Sequence, residues 1–167
     1  TVQGAGSIGA GGALAVVNNG SLIANAGAGM VLSTTAGATN NALIRADGAS
    51  FTVSGTQLTQ GAGGVLDAIN GGSLVLGNGS LVTGGTFSTA SGGQVAVTSG
   101  HTARIAGVTS TGTLNVHNNA VLELGGTLTN NGAVNLQSVG NVTDLRAVGS
   151  QSILGNGTIT LSNTTAN

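Results

Sequence analysis

The side chains able to do acid–base or ionic chemistry in this 167-residue chain are few: Asp47, Asp67, Glu123 and Asp144, His101 and His117, and Arg45, Arg104 and Arg146. Hydrolysis of a glycosidic bond needs two carboxylates brought together. The acids are spaced by roughly one repeat of the chain or several, so a chain that returns on itself with that period can bring Asp47 near Asp67, or Glu123 near Asp144. Neither histidine stands in a His-x-Glu or other metal-ligand spacing, and a zinc site is not expected. Arg45-Ala-Asp47 and Asp144-Leu-Arg146 set opposite charges two residues apart, hence on one side of a strand. The plain expectation for each is a surface ion pair contributing under ~1 kcal/mol. The sharper expectation makes Arg45, Asp47, Asp144 and Arg146 polar contact points for a partner. No catalytic residue, cofactor site or metal site is assigned.

Composition removes whole classes of function. Without Cys there is no disulfide framework, thiolate metal site or Cys nucleophile. Charged residues make up 4% of the chain and the formal net charge is −1, so neither nucleic acid nor an anionic membrane finds a basic surface. A hydrophobic share of 40% with so little charge is also unlike a disordered chain. No run approaches the ~20 apolar residues of a membrane-spanning helix. Gly61-Ala-Gly-Gly64 lacks the Lys-Ser/Thr of a phosphate-binding loop, and the calcium-binding Gly-Gly-x-Gly-x-Asp nonapeptide is missing. Asn-x-Ser/Thr triplets, such as Asn19-Gly-Ser21 and Asn78-Gly-Ser80, read as turns in so Asn- and Thr-rich a chain.

The elements that must position these groups are short strands. Gly, Asn, Ser and Thr interrupt every stretch and disfavour helix. Alternating runs opened by Gly recur as Gly12–Val16, Gly20–Ala24, Gly72–Leu76, Gly93–Val97, Gly112–Val116, Gly132–Leu136 and Gly157–Leu161. From Gly72 the opening glycines fall at 93, 112, 132 and 157, a period near 20. Between Gly112 and Gly132, the apolar runs Leu114/Val116, Val121/Leu122/Leu124 and Leu128 are separated by Asn118-Asn119, Gly125-Gly126 and Asn130-Asn131. Three strands and three tight corners per repeat make one coil of a three-faced β-solenoid. About eight such coils fit, forming a single unit over 1–167 that reads as a fragment of a longer rod, with a repeat-breaking loop at 139–152. A sandwich is the competing arrangement, but its turn signals carry no higher-order period and its core uses aromatics. The near absence of aromatic residues suggests a narrow bore filled by Val, Leu, Ile and Ala, into which bulky rings would not fit. Asn18, Asn40, Asn70, Asn118 and Asn130 are candidates for corner columns in which stacked amides hydrogen-bond from coil to coil.

The run Gly112-Thr-Leu-Asn-Val-His-Asn-Asn-Ala-Val-Leu-Glu-Leu-Gly-Gly-Thr-Leu-Thr-Asn-Asn-Gly132, and Leu154-Gly-Asn-Gly-Thr-Ile-Thr-Leu-Ser162, resemble passenger segments of bacterial type V secreted proteins, the autotransporters and filamentous-haemagglutinin-like exoproteins. The resemblance implies a right-handed parallel β-helix, export to the bacterial cell surface, and a part in adhesion, aggregation or biofilm formation. Partners would then be surface glycans or proteins, or identical rods. It carries no motif from which binding residues can be transferred. The alternatives are a carbohydrate-active β-helix enzyme, a pure spacer stalk, an ice-binding solenoid suggested by Thr127/Thr129 and Thr158/Thr160, and a trimeric autotransporter head or amyloid-forming repeat. Exposed terminal coils are expected to associate end to end.

Overall fold

The computed structural model describes all 167 residues as strands and corners, without helix. The chain winds through three parallel sheets, here faces A, B and C, of eight, eight and seven strands. Each strand pairs with the strand one coil before and one coil after it, so the fold is a three-faced parallel β-solenoid. Seven coils are complete, and an eighth contributes only Ile153–Leu154 to face A and Thr158–Leu161 to face B. Coil 6 shows the plan: Val108–Ser110 on face A, Thr113–His117 on face B and Val121–Leu124 on face C.

Strands stay short because the corners come every few residues, and the corners use the chemistry the sequence supplies. Asn119 adopts a φ of 63°, a left-handed conformation that Asn tolerates better than most side chains. Coil length is elastic. Thr102 pairs with Val121, whereas Leu128 pairs with Ile153, so the residues consumed per turn vary while the strand ladders stay continuous.

Alternation along each strand sends every second side chain inward. Met30, Phe51, Leu74, Val95, Leu114, Val134 and Ile159 stack as one column under face B. Leu22, Ile44, Leu66 and Phe87 stack under face A, and Ala38, Leu58, Val82, Ile105 and Leu124 under face C. The expectation that rings would not fit is wrong: Phe51 and Phe87 are both fully buried. Small residues accompany each ring. Phe51 shares its coil with Ala46 of the Ala24–Ala46–Ala68 column, and the register partner of Phe87 in the next coil is Ser110. Interior volume is thus balanced around and along the coil rather than by strict like-on-like stacking.

Two other expectations shift. Gly12–Val16 is not a strand; the chain turns there, and the strand begins at Val16 (Val16–Asn18). The stretch 139–152 is not one loop but two widened corners around Asp144–Ala147, the seventh strand of face C.

The corner between faces C and A holds a buried amide ladder. Asn18 Nδ2 donates to Asn40 Oδ1 at 2.7 Å, and Asn40 Nδ2 donates to Gln60 Oε1 at 2.7 Å. Each Asn oxygen also accepts a local backbone N–H, from Gly20 and Ala42. The ladder stops in the next coil at Gly85 (φ 74°), where a Cβ would lie 2.5 Å from the Cβ of Gln60. The other expected Asn positions do different work. Asn70 donates to Asp47, Asn118 accepts from the backbone of Val139 and Asn141, and Asn130 bonds the backbone of Gly132 and Thr158.

Candidate functional site

All seven charged side chains lie on two of the three faces. Arg45, Asp47 and Asp67 are on face A; Arg104, Glu123, Asp144 and Arg146 are on face C; no strand of face B carries a charge. The register explains which charges meet. On face C, Leu81, Arg104, Glu123 and Arg146 occupy one outward column in four successive coils. Arg104 Nε and Nη2 both donate to Glu123 Oε2, at 3.0 and 2.8 Å. Arg146 lies 3.7 Å from Glu123 Oε1 and donates to Asp144 at 3.1 Å. The four groups form one alternating network. The Asp144–Arg146 pair is the one read from the sequence.

Arg45 does not pair with Asp47. It turns to Asp67, one coil on, with Nε and Nη2 each 2.8 Å from Oδ2. Ser88 of the following coil donates to the other oxygen of Asp67, and Asn70 donates to Asp47 at 2.8 Å. Sequence spacing misses both cross-coil pairs because it compares residues within a strand. The usable signal was the separation of opposite charges by about one period, 22 residues for Arg45–Asp67 and 19 for Arg104–Glu123.

The same register sets the carboxylates. Asp67 pairs with Arg45 while Asp47 pairs with Ile69, and Glu123 pairs with Arg146 while Asp144 pairs with Val121. In each couple the acids sit diagonally across adjacent strands, with an arginine directly opposite one of them. His101 closes a corner through a 2.8 Å contact between Nδ1 and Thr98 Oγ1, and His117 ends a face B strand beside Gln137. No three His, Asp or Glu side chains gather as a metal site would require.

Beside the Arg104–Glu123 pair, face C carries a shallow polar groove crossing coils 3 to 6, lined among others by Gln57, Asn78, Ser80, Leu81 and Thr102. Asn78 Oδ1 accepts the backbone N–H of Thr102 at 3.2 Å. The Ser80 hydroxyl is buried, closed to the groove and without a hydrogen-bond partner. No aromatic platform flanks the groove, since the two Phe rings of the chain lie in the core.

Elsewhere the surface is made of neutral columns. Thr39, Thr59 and Thr83 are in register on face C, and Thr86, Thr109 and Thr129 on face A. On face B, Asn135 donates to Asn115 at 2.9 Å and Asn115 donates to Gln94. The Thr127/Thr129 and Thr158/Thr160 pairs singled out in the sequence do not form a common array: Thr129 belongs to face A, and Thr158 and Thr160 to face B.

Comparison of the chain with models of known protein families, with curated proteins and with solved structures finds no match.

Proposed function

We propose that this chain is a structural and adhesive segment of a rod-shaped bacterial surface protein, exported in the manner of the type V passengers its repeats resemble. The observation that carries the reading is the outer surface. Its arginines and carboxylates are turned toward one another, and between them lie in-register columns of hydroxyl and amide groups. Strands of a sheet repeat at ~4.8 Å, so each column offers neutral hydrogen-bonding groups at that interval. Such a surface suits many weak contacts to glycans, proteins or identical rods, with strength gained by repetition.

The test compares single chains with chains displayed at high density on beads, binding to bacterial or epithelial cell surfaces. Dense display is expected to raise retention by about a hundredfold or more, with little change between low and high salt because few free charges take part. Equal retention at both densities, or its collapse at high salt, overturns the reading. Hydrolysis is not part of the proposal, because each acid has an Arg or Asn as its polar partner and the surface offers no aromatic platform for a sugar ring.

A further inference from the structure

We propose that the groove on face C is a subsite for one unit of a neutral, polyhydroxylated saccharide, held by Gln57, Asn78, Thr102 and the Arg104–Glu123 pair. The inference rests on the adhesive reading and gives it a place and a ligand class. Charged and uncharged polar groups converge along the lining of this groove. Its hydrogen-bonding capacity is largely unspent. The Gln57 amide and Thr102 hydroxyl enter none of the side-chain hydrogen bonds described above, and Asn78 uses only its oxygen. Both Arg104 donors fall on one oxygen of Glu123, leaving the other with only the 3.7 Å approach of Arg146. A sugar hydroxyl both donates and accepts, so one hydroxyl can give its proton to that carboxylate oxygen while a neighbour accepts from Arg104 or an amide.

The chemistry also argues against other ligands. A phosphate or sulfate needs a cation free to bind it, and Arg104 is committed to Glu123 by two hydrogen bonds. An apolar ligand finds only Leu81 and Ala103 along the lining.

The experiment is a two-dimensional amide NMR titration of the 167-residue chain with lactose, maltose, cellobiose and chitobiose. The expected result is saturable shifts with at least one of them, confined to Gln57, Asn78 to Leu81, Thr102 to Arg104 and Glu123, and insensitive to salt. Gln57→Ala, at an exposed side chain, and Glu123→Gln are each expected to weaken binding about tenfold or more, and Gln3→Ala in coil 1 to leave it unchanged. Conserved peak positions outside the groove verify that each variant is folded. No saturable shift with any of the four sugars, or shifts spread along all the corners, overturns the subsite. Binding confined to sulfated or carboxylated sugars and lost at high salt also overturns it, in favour of an anion site. The bead assay separates the two levels: retention that persists in Gln57→Ala sinks the subsite as the adhesive contact but not adhesion, whereas sugar binding without retention sinks adhesion but not the subsite.

Discussion

Coils 3 to 6 and the first and last coils of these 167 residues are built from the same residue types, yet they differ in what covers them. In the middle, Ile44, Phe51, Leu66, Leu74, Phe87, Val95 and Leu114 are at most 1% exposed, because each has a coil above and below. In the first and last coils the same columns lose one neighbour: Val2 is 52% and Ile159 41% exposed, and Leu161, which ends the neighbouring Val116–Leu136 column, is 61% exposed. An apolar hollow lined by Val2, Ile8, Leu14 and Val16 opens at the first coil. A coil cannot bury its own apolar face, so stability in this chain is a property of coil–coil contacts. Hydrogen exchange is expected to be slowest in coils 3 to 6 and fastest in coils 1 and 8.

Substitutions can sharpen that contrast or break it, each read as a shift in urea midpoint. Phe87→Ala carries the largest expected effect, about 3–5 kcal/mol, since it empties a fully buried ring site between two coils. Next comes Asn40→Ala at about 1–3 kcal/mol, because it strands the buried amides of Asn18 and Gln60 on either side. Gly85→Ala is expected to cost a similar ~1–3 kcal/mol, from a φ of 74° that alanine rarely adopts and the collision with Gln60; pairing it with Gln60→Ala should recover little, because alanine keeps the Cβ that lies 2.5 Å away. Glu123→Gln should cost under ~1 kcal/mol, its partner Arg104 being 43% exposed. Leu161→Ala, on the uncovered last coil, should fall within ~0.5 kcal/mol. An end substitution as costly as Phe87→Ala would break the comparison and show the terminal coils sealed by another copy of the rod.

The interior was legible to the extent that it depends on alternation. Gly72–Leu76, Gly93–Val97, Gly112–Val116, Gly132–Leu136 and Gly157–Leu161 each match the face B strand of a coil to within one residue at either end, the opening glycine lying at the corner. Asn18 and Asn40 were legible as ladder members, but Gln60 was not, because its longer amide needs the empty space above Gly85. The rings were misjudged because composition counts aromatics without showing that Ala46 and Ser110 lie where room is needed. The candidate site was the least legible part. Of the residues marked as contact points, Asp144 and Arg146 belong to the face C network beside the groove, whereas Arg45 and Asp47 lie on face A. Gln57, Asn78 and Thr102 carry no motif, and they meet only through winding.

The sequence alone determined that this chain would form short strands with glycine and asparagine corners, repeating about every 20 residues around an aliphatic interior, because those features follow from local backbone preference and a period of two. Which residues share a column, and so which charges pair and where a groove opens, was decided by the wound structure. A full turn takes between 19 and 25 residues, as in Thr102↔Val121 and Leu128↔Ile153, and the corners absorb the difference. A slip of one residue at any corner would turn an inward column outward.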